Sequence, residues 1–168
     1  FGINKDYPYN LSNEIIKRDI SIYWGIETRA DLLTKDNLSF MHKAGLRSIN
    51  IGIETNSIEI AKKNKRKLIE SEHQKEIINY CASIGIKVVG FFIIGMEGDT
   101  IDSVREMIKF STEQNIFVAR FSVSTPYPGT EYYDFLDEKD LLLNKNYQNY
   151  NQFKLVINQK TLKTNEVE

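Results

Sequence analysis

Apolar positions along the chain follow two rhythms. Ser21–Thr28 (SIYWGIET), Ser48–Glu54 (SINIGIE), Lys87–Gly95 (KVVGFFIIG) and Ile116–Ser124 (IFVARFSVS) are short, β-branched or aromatic, and apolar at most positions. Runs of this kind suit strands covered on both faces, as in a parallel sheet. Between them the period lengthens to that of a helix. Thr34–Ala44 carries Leu38 and Met41 at helical spacing and stops at Gly45. Ser71–Ser83 opens with Ser71 and Gln74 in capping-box spacing, then sets Ile77, Tyr80, Cys81 and Ile84 on one stripe before Gly85. Asp99 or Thr100 caps a further helix, expected to bury Ile101, Val104, Met107 and Ile108 and to end near Asn115. Asn10–Asp19, entered after Pro8, reads as one more helix.

Strand and helix alternate with short connections, which is the pattern of βα units with right-handed crossovers. The expected fold is α/β: a partial TIM-type βα barrel, with about four parallel strands and outer helices. A complete eight-unit barrel takes about 250 residues, so 168 residues suit only an arc. The length favours one domain, read as a barrel portion over 1–150 and a tail over 151–168. Asn144–Val156 is expected either as a post-barrel strand or as aromatic packing. The start at Phe1 and the polar ending KTNEVE read as a piece of something longer.

Three strand endings repeat one another: WGIETR at Trp24–Arg29, IGIETN at Ile51–Asn56 and IGMEGD at Ile94–Asp99. Each runs apolar residues into a glycine, one more apolar residue and a glutamate. In βα folds the ligand sits at the carboxyl ends of the strands. Alternation puts Asn50, Gly52 and Glu54 on one face, with Ile49, Ile51 and Ile53 on the other. Gly25, Glu27 and Arg29 likewise share a face. Glu54 and Arg29 are therefore expected at adjacent strand tips, either around a ligand or simply paired with each other. At Gly95–Thr100 (GMEGDT) the expectation is a loop and helix N-terminus whose amides face a ligand, with Glu97 and Asp99 capping.

Two further stretches flank these tips. Lys62–Lys67 (KKNKRK) carries five cations in six residues. It is either a solvated turn or a source of one cation for a carboxylate or phosphate at the tips. Thr125–Thr130 (TPYPGT) holds two prolines and a glycine, a rigid turn that either only ends its strand or borders a flat ligand with Tyr127.

Charge narrows the partners. The net charge of −1 gives no global field toward nucleic acid or an anionic membrane, and the basic run lacks the interleaved aromatics of a nucleic-acid patch. No apolar run approaches the ~20 residues of a membrane span. Cys81 is the one cysteine, so no internal disulfide or multi-cysteine metal site is possible; this suits a reducing cytoplasm. It sits on an apolar stripe and is expected to be buried and inert, while His42 and His73 read as boundary residues. No Ser–His–Asp set and no P-loop occur.

Taken in order, WGIETRADLL, AGLRSINIGIETNS, NKRK, GIKVVGFFIIGMEGDT and TPYPGTEYY resemble the second half of a radical S-adenosylmethionine (SAM) enzyme. The nearest flavour is the cobalamin-associated class, with related patterns in coproporphyrinogen dehydrogenases. The resemblance spans about Phe1–Tyr150. It implies a partial barrel holding SAM against a 4Fe-4S cluster, whose electron releases a 5′-deoxyadenosyl radical. It further implies that Glu54, beside Gly52, meets the ribose and aminoacyl region, and that Arg66, with Lys67 in reserve, meets the SAM carboxylate. Ile93 and Gly95 would border the adenine from their strand, and Pro126 and Tyr127 from their backbone. Arg29 would face SAM or substrate. No catalytic side chain and no metal ligand is assigned.

The family's CxxxCxxC loop and its glycine-rich SAM-amine motif have no counterpart here. By this count two N-terminal units are missing, so the cluster, and cobalamin if used, would belong to the parent protein. This chain alone is expected to lack radical chemistry, to bind SAM poorly, and to self-associate through an exposed strand edge. The parent would be a cytoplasmic oxidoreductase or methyltransferase acting on a small molecule of unknown identity. A non-catalytic βα scaffold for a nucleotide-like ligand or a protein partner is the alternative.

Overall fold

The computed structural model describes residues 1–67 and 71–163. Its helices are α1 (Tyr7–Lys17), α2 (Lys35–Lys43), α3 (Ile58–Lys63), α4 (Ser71–Ser83), α5 (Ile101–Glu113) and α6 (Glu131–Glu138). The strands are β1 (Trp24–Thr28), β2 (Leu46–Glu54), β3 (Lys87–Ile94) and β4 (Val118–Val123). They form one parallel sheet in the order β1-β2-β3-β4. The α/β arc of four strands with intervening helices is thus present, each strand within a few residues of its expected bounds.

Contacts divide the described residues into two compact units. The first comprises Phe1–Glu54, Leu68–Phe91 and Lys109–Arg120; the second comprises Thr55–Lys67, Phe92–Ile108 and Phe121–Glu168.

In the first unit, Leu38, Met41, Leu46, Ile49, Ile51, Ile77, Ile78 and Cys81 are fully enclosed. Helix α2 begins one residue later than expected, because Thr34 serves as its cap: the Thr34 hydroxyl accepts from the Asn37 amide, and the Asn37 side chain accepts from the Thr34 amide. It ends at Gly45, where φ is +98° and a Cβ would collide with the Ile22 carbonyl. Helix α1 starts earlier than expected because Pro8 sits inside the first turn, where a missing N–H costs nothing. The buried stripe of α4 runs through Gln74, Ile77, Ile78 and Cys81, while Tyr80 and Ile84 are only half-buried. The side chain of Ser71, and with it the expected capping box, lies outside the described residues, as does most of the KTNEVE ending.

The β1 edge is not fully open. The Phe1 ammonium donates to the Glu27 carbonyl (3.2 Å) and the Thr28 hydroxyl donates to the Phe1 carbonyl (2.7 Å). The chain's own first residues therefore cross that edge near its carboxyl end.

Along α5 the buried positions are Val104, Met107, Phe110 and Ser111. Ile108, expected inside, is 46% exposed. The buried positions centre on the side of Met107 and Ser111, and at about 100° per residue Ile108 lies roughly a quarter-turn round the helix from that centre.

The core of the second unit joins Val123, Tyr133, Leu136, Tyr150, Leu155, Val156 and Ile157. The strand expected over Asn144–Val156 does not form. Its place is taken by a 3-10 turn at Tyr147–Asn149 and an isolated antiparallel bridge from Leu142 to Ile157. The Tyr150 hydroxyl donates to the Asn144 carbonyl at 2.8 Å, so this aromatic stretch is held by packing and side-chain bonds.

Candidate ligand-binding site

In the first unit β1 and β2 pair with Glu27 opposite Asn50 and Thr28 opposite Ile51. Ile49, Ile51 and Ile53 are buried, while Asn50, Gly52 and Glu54 are half-buried on the other face. On β1, Ile26 and Thr28 are buried, with Gly25 and Glu27 exposed. The alternation read from the sequence therefore holds on both strands.

The repeated glycines do different work. At Gly25 a Cβ would collide with the Ser48 hydroxyl of β2, so this glycine allows two strands to approach. At Gly52 a Cβ would meet nothing within 4 Å, so the space over the strand is open. Two residues on, Glu54 ends β2 at φ +63°. A non-glycine residue held there carries strain of about 1–3 kcal/mol, a cost concentrated in proteins at ligand clamps and switches.

Arg29 grips Asp31 in bidentate fashion, Nε to Oδ1 at 2.9 Å and Nη2 to Oδ2 at 2.6 Å. That hydrogen bond is the main reason its pKa is raised; burial opposes it, and the charges of Asp31 and Glu54 add to the rise. Arg29 and Glu54 are thus within electrostatic reach, but the side chain that Arg29 clasps is Asp31. The simple Arg29–Glu54 pair is replaced by a local Arg–Asp clasp beside a strained carboxylate.

In the second unit the third ending is self-contained. The buried Asp99 carboxylate accepts from the amides of Gly95 and Met96, both at 2.9 Å, and from the Ser103 hydroxyl at 2.9 Å. These two amides were expected to face a ligand; they are taken by the chain's own carboxylate. The Glu97 amide donates to Asn64 Oδ1 (3.1 Å), and Asn64 Nδ2 donates back to the Glu97 carbonyl (2.9 Å). The helix cap falls to Thr100, whose hydroxyl accepts from the Ser103 amide. Burial pushes the Asp99 carboxyl above its ordinary range, against the pull of its three donors. Gly95 itself sits at φ +82°, which the turn requires, and its carbonyl accepts from Gln159 Nε2.

The basic run is partly helical. α3 ends in a Schellman turn: Lys65 adopts φ +53°, its amide donates to the Lys62 carbonyl, and the Arg66 amide donates to the Ala61 carbonyl. Lys62 and Lys63 suit the negative end of the helix dipole. Lys63 also meets Glu97 at 3.4 Å. Arg66 and Lys67 follow, exposed, and Arg66 lies close enough to Tyr132 to bear on its ionisation. Ile93 is half-buried near the end of β3, and Pro126 is buried. Tyr127 is exposed and its hydroxyl oxygen accepts from Gln152 Nε2 at 2.8 Å. A cavity of about 360 Å³ lies among Lys63, Glu97, Tyr132, Phe135, Ile157 and Gln159.

Cys81 is buried and its thiol is pushed up to about 12 by that burial, so it is inert. His42 and His73 are both half-buried; His73 Nε2 meets the Ala30 carbonyl at 3.1 Å. Among the described residues no group of His, Cys, Asp and Glu comes together to hold a metal. Reading the sequence missed one charged group on the sheet, Arg120, whose guanidinium lies over the Phe91 ring, 5.8 Å from its centroid. Strict alternation through VARFSV would have placed it on the face that carries Asn50 and Glu54.

Comparison with known proteins agrees with this fold. The family model described as the radical SAM superfamily matches residues 3–111. An uncharacterized methyltransferase of Pyrococcus horikoshii is 28% identical over 150 residues, covering 89% of this chain and 32% of its own length. The anaerobic magnesium-protoporphyrin IX monomethyl ester cyclase of Rubrivivax gelatinosus is 31% identical, covering 75% of this chain and 23% of its own length. Among solved structures, the radical SAM methyltransferase TsrM from Kitasatospora setae, with cobalamin and a 4Fe-4S cluster bound, superposes with a TM-score of 0.67 at 20% identity. That match covers 77% of this chain and 27% of TsrM. The chain thus spans about a third or less of the curated relatives named here.

Proposed function

The chain belongs to the radical SAM superfamily, and we propose that it forms the later part of a catalytic domain that cleaves SAM and turns the resulting radical on a small-molecule substrate. Methyl transfer or oxidation as the outcome is supported by relatives named as methyltransferases and a cyclase. Cobalamin in the longer protein is supported by the contents of the TsrM structure.

The superfamily's 4Fe-4S cluster supplies the electron for SAM cleavage, and the residues described do not fit it. The single thiol is buried and held protonated, and thiolates are what iron requires. Its ligands are therefore assigned to sequence outside this chain.

SAM is a better match. The observation that carries the reading is Glu54, held at a strained φ of +63° beside the open space over Gly52. A carboxylate there accepts hydrogen bonds from a ribose diol and offsets a sulfonium charge. The Arg29–Asp31 clasp supplies a fixed polar wall in the same unit. By its place in the family's motif order, Arg66, with Lys67 in reserve, is assigned to the carboxylate of SAM. Ile93, Gly95, Pro126 and Tyr127 are assigned to its adenine. The division at residue 150 into barrel and tail belongs to the same reading. So do a cytoplasmic location and self-association through the outer side of β1. Among the described residues no helix is long and apolar enough to cross a membrane.

The test is calorimetric titration of SAM into the full natural protein, purified without oxygen. Glu54→Gln and Arg66→Ala should each weaken binding by about tenfold, the worth of one charge-assisted hydrogen bond. Unchanged affinity in both variants overturns the reading.

A further inference from the structure

Most described arginines have an obvious polar partner. Arg18, Arg29 and Arg105 pair with Glu14, Asp31 and Asp102. Arg47 donates to the carbonyls of His42 and Leu46. Arg120 differs. It is exposed in mid-strand on β4, and the contact it makes is with the ring of Phe91 on neighbouring β3. Among the described residues it pairs with no carboxylate.

Its position on the sheet matters more than its exposure. On β3 the enclosed side chain next to Phe91 is Val88's face partner Phe92, while Phe91 itself is half-buried. By alternation Phe91 belongs to the less enclosed face, which on β2 carries Asn50, Gly52 and Glu54. Within the first unit, one face therefore bears carboxylates on β1 and β2, an open glycine on β2, and a guanidinium seated on an aromatic ring at β3 and β4.

We propose that Arg120 binds an oxyanion of the substrate, a carboxylate or a phosphate, with Phe91 as its platform. The chemistry follows from the guanidinium. With its Cζ 5.8 Å from the ring centroid it is drawn to the negative face of the ring, while its donors stay available for a bidentate oxyanion. The proposal rests on the SAM reading only in calling the ligand a substrate. It deepens that reading by giving the substrate a negative charge at the β4 side, away from the acidic side.

The experiment uses the full natural protein and three probes: phenylacetate, phenyl phosphate and the uncharged 2-phenylethanol, measured by ligand-observed NMR titration. At least one oxyanion should bind, and more tightly than the alcohol. Arg120→Ala should weaken it by about tenfold or more and Arg120→Lys by less, since an ammonium keeps the charge but not the fork. Which oxyanion binds better identifies carboxylate or phosphate. SAM affinity should stay within about twofold in both variants, and thermal melts should confirm that they fold. The inference is overturned if the alcohol binds equally well, if no oxyanion binds the wild type, or if both variants keep full oxyanion affinity. It is also overturned if SAM affinity falls in step with the oxyanion's. A wild-type protein that binds the oxyanion but not SAM would sink the SAM reading and leave this one standing.

Discussion

The ends of β2 and β3 are written almost alike, Gly-Ile-Glu and Gly-Met-Glu, and fold into opposite things. At β2, Gly52 has open space over it and Glu54 sits in a left-handed conformation. At β3, the turn folds onto its own Asp99, which takes up the Gly95 and Met96 amides. What separates them is the residue four positions after the glycine. A buried carboxylate there closes the second turn, whereas the first has Asn56, which is exposed. A repeated glycine–glutamate pattern marks strand ends in this chain; it does not by itself mark ligand contact.

The widest gap between the two ends should appear on removing that carboxylate. Asp99→Ala strands the two buried Gly95 and Met96 amides, and should cost about 3 kcal/mol by chemical denaturation. Asp99→Asn keeps an acceptor of similar shape and should cost less, while altering the pH profile. Burial raises the Asp99 carboxyl in the folded state, so folding favours its protonated form. The stability this contributes is fully present below the unfolded value of about 3.9 and is lost as pH rises through the higher folded value. Urea midpoints should therefore lose that portion of their slope in Asp99→Asn. An unchanged slope would mean that the group titrates as an exposed acid.

The same contrast shows what a reader of the sequence can and cannot see. Period and alternation suffice for the four strands, the faces of β1 and β2, and α2 with its stop at Gly45, because these depend on neighbours close in sequence. The short helices α3 and α6 do not show in the apolar period. Each is opened by a Ser or Thr cap, Ser57 and Thr130, that was available as a signal. Their ends were hidden because Lys65 and Asp140 take the left-handed position usually filled by glycine. At the site, Arg29 and Glu54 were legible as strand-tip residues. The Arg29–Asp31 clasp was not, since a local partner two residues away competes with one across the sheet. Asp99's capture of two amides depends on burial, which spacing does not report.

A second pair of substitutions tests the glycines against each other. Gly25→Ala drives a methyl into the Ser48 hydroxyl and should destabilise by about 2 kcal/mol, the cost of overpacking where one neighbour must move. Gly52→Ala meets nothing within 4 Å and should leave the melting temperature nearly unchanged. If it nonetheless weakens SAM binding in the full protein, the open space over β2 is occupied by ligand. Equal destabilisation of the two variants would erase the distinction drawn between these strand ends.

A stability effect smaller than that of Gly25→Ala, and opposite in sign, is also the sharpest test of purpose. Glu54→Gly relieves a left-handed backbone at the end of β2, but adds freedom to the unfolded chain. The balance should be a gain of about 0.5–1 kcal/mol. A structural glutamate would show the reverse, because losing its side-chain contacts would outweigh the relief. A functional one should give a more stable protein that holds SAM about tenfold less tightly. Stability and affinity moving in opposite directions is the signature of strain kept for binding. If both fall together, Glu54 is there for the fold, and the difference between the two strand ends is one of packing alone.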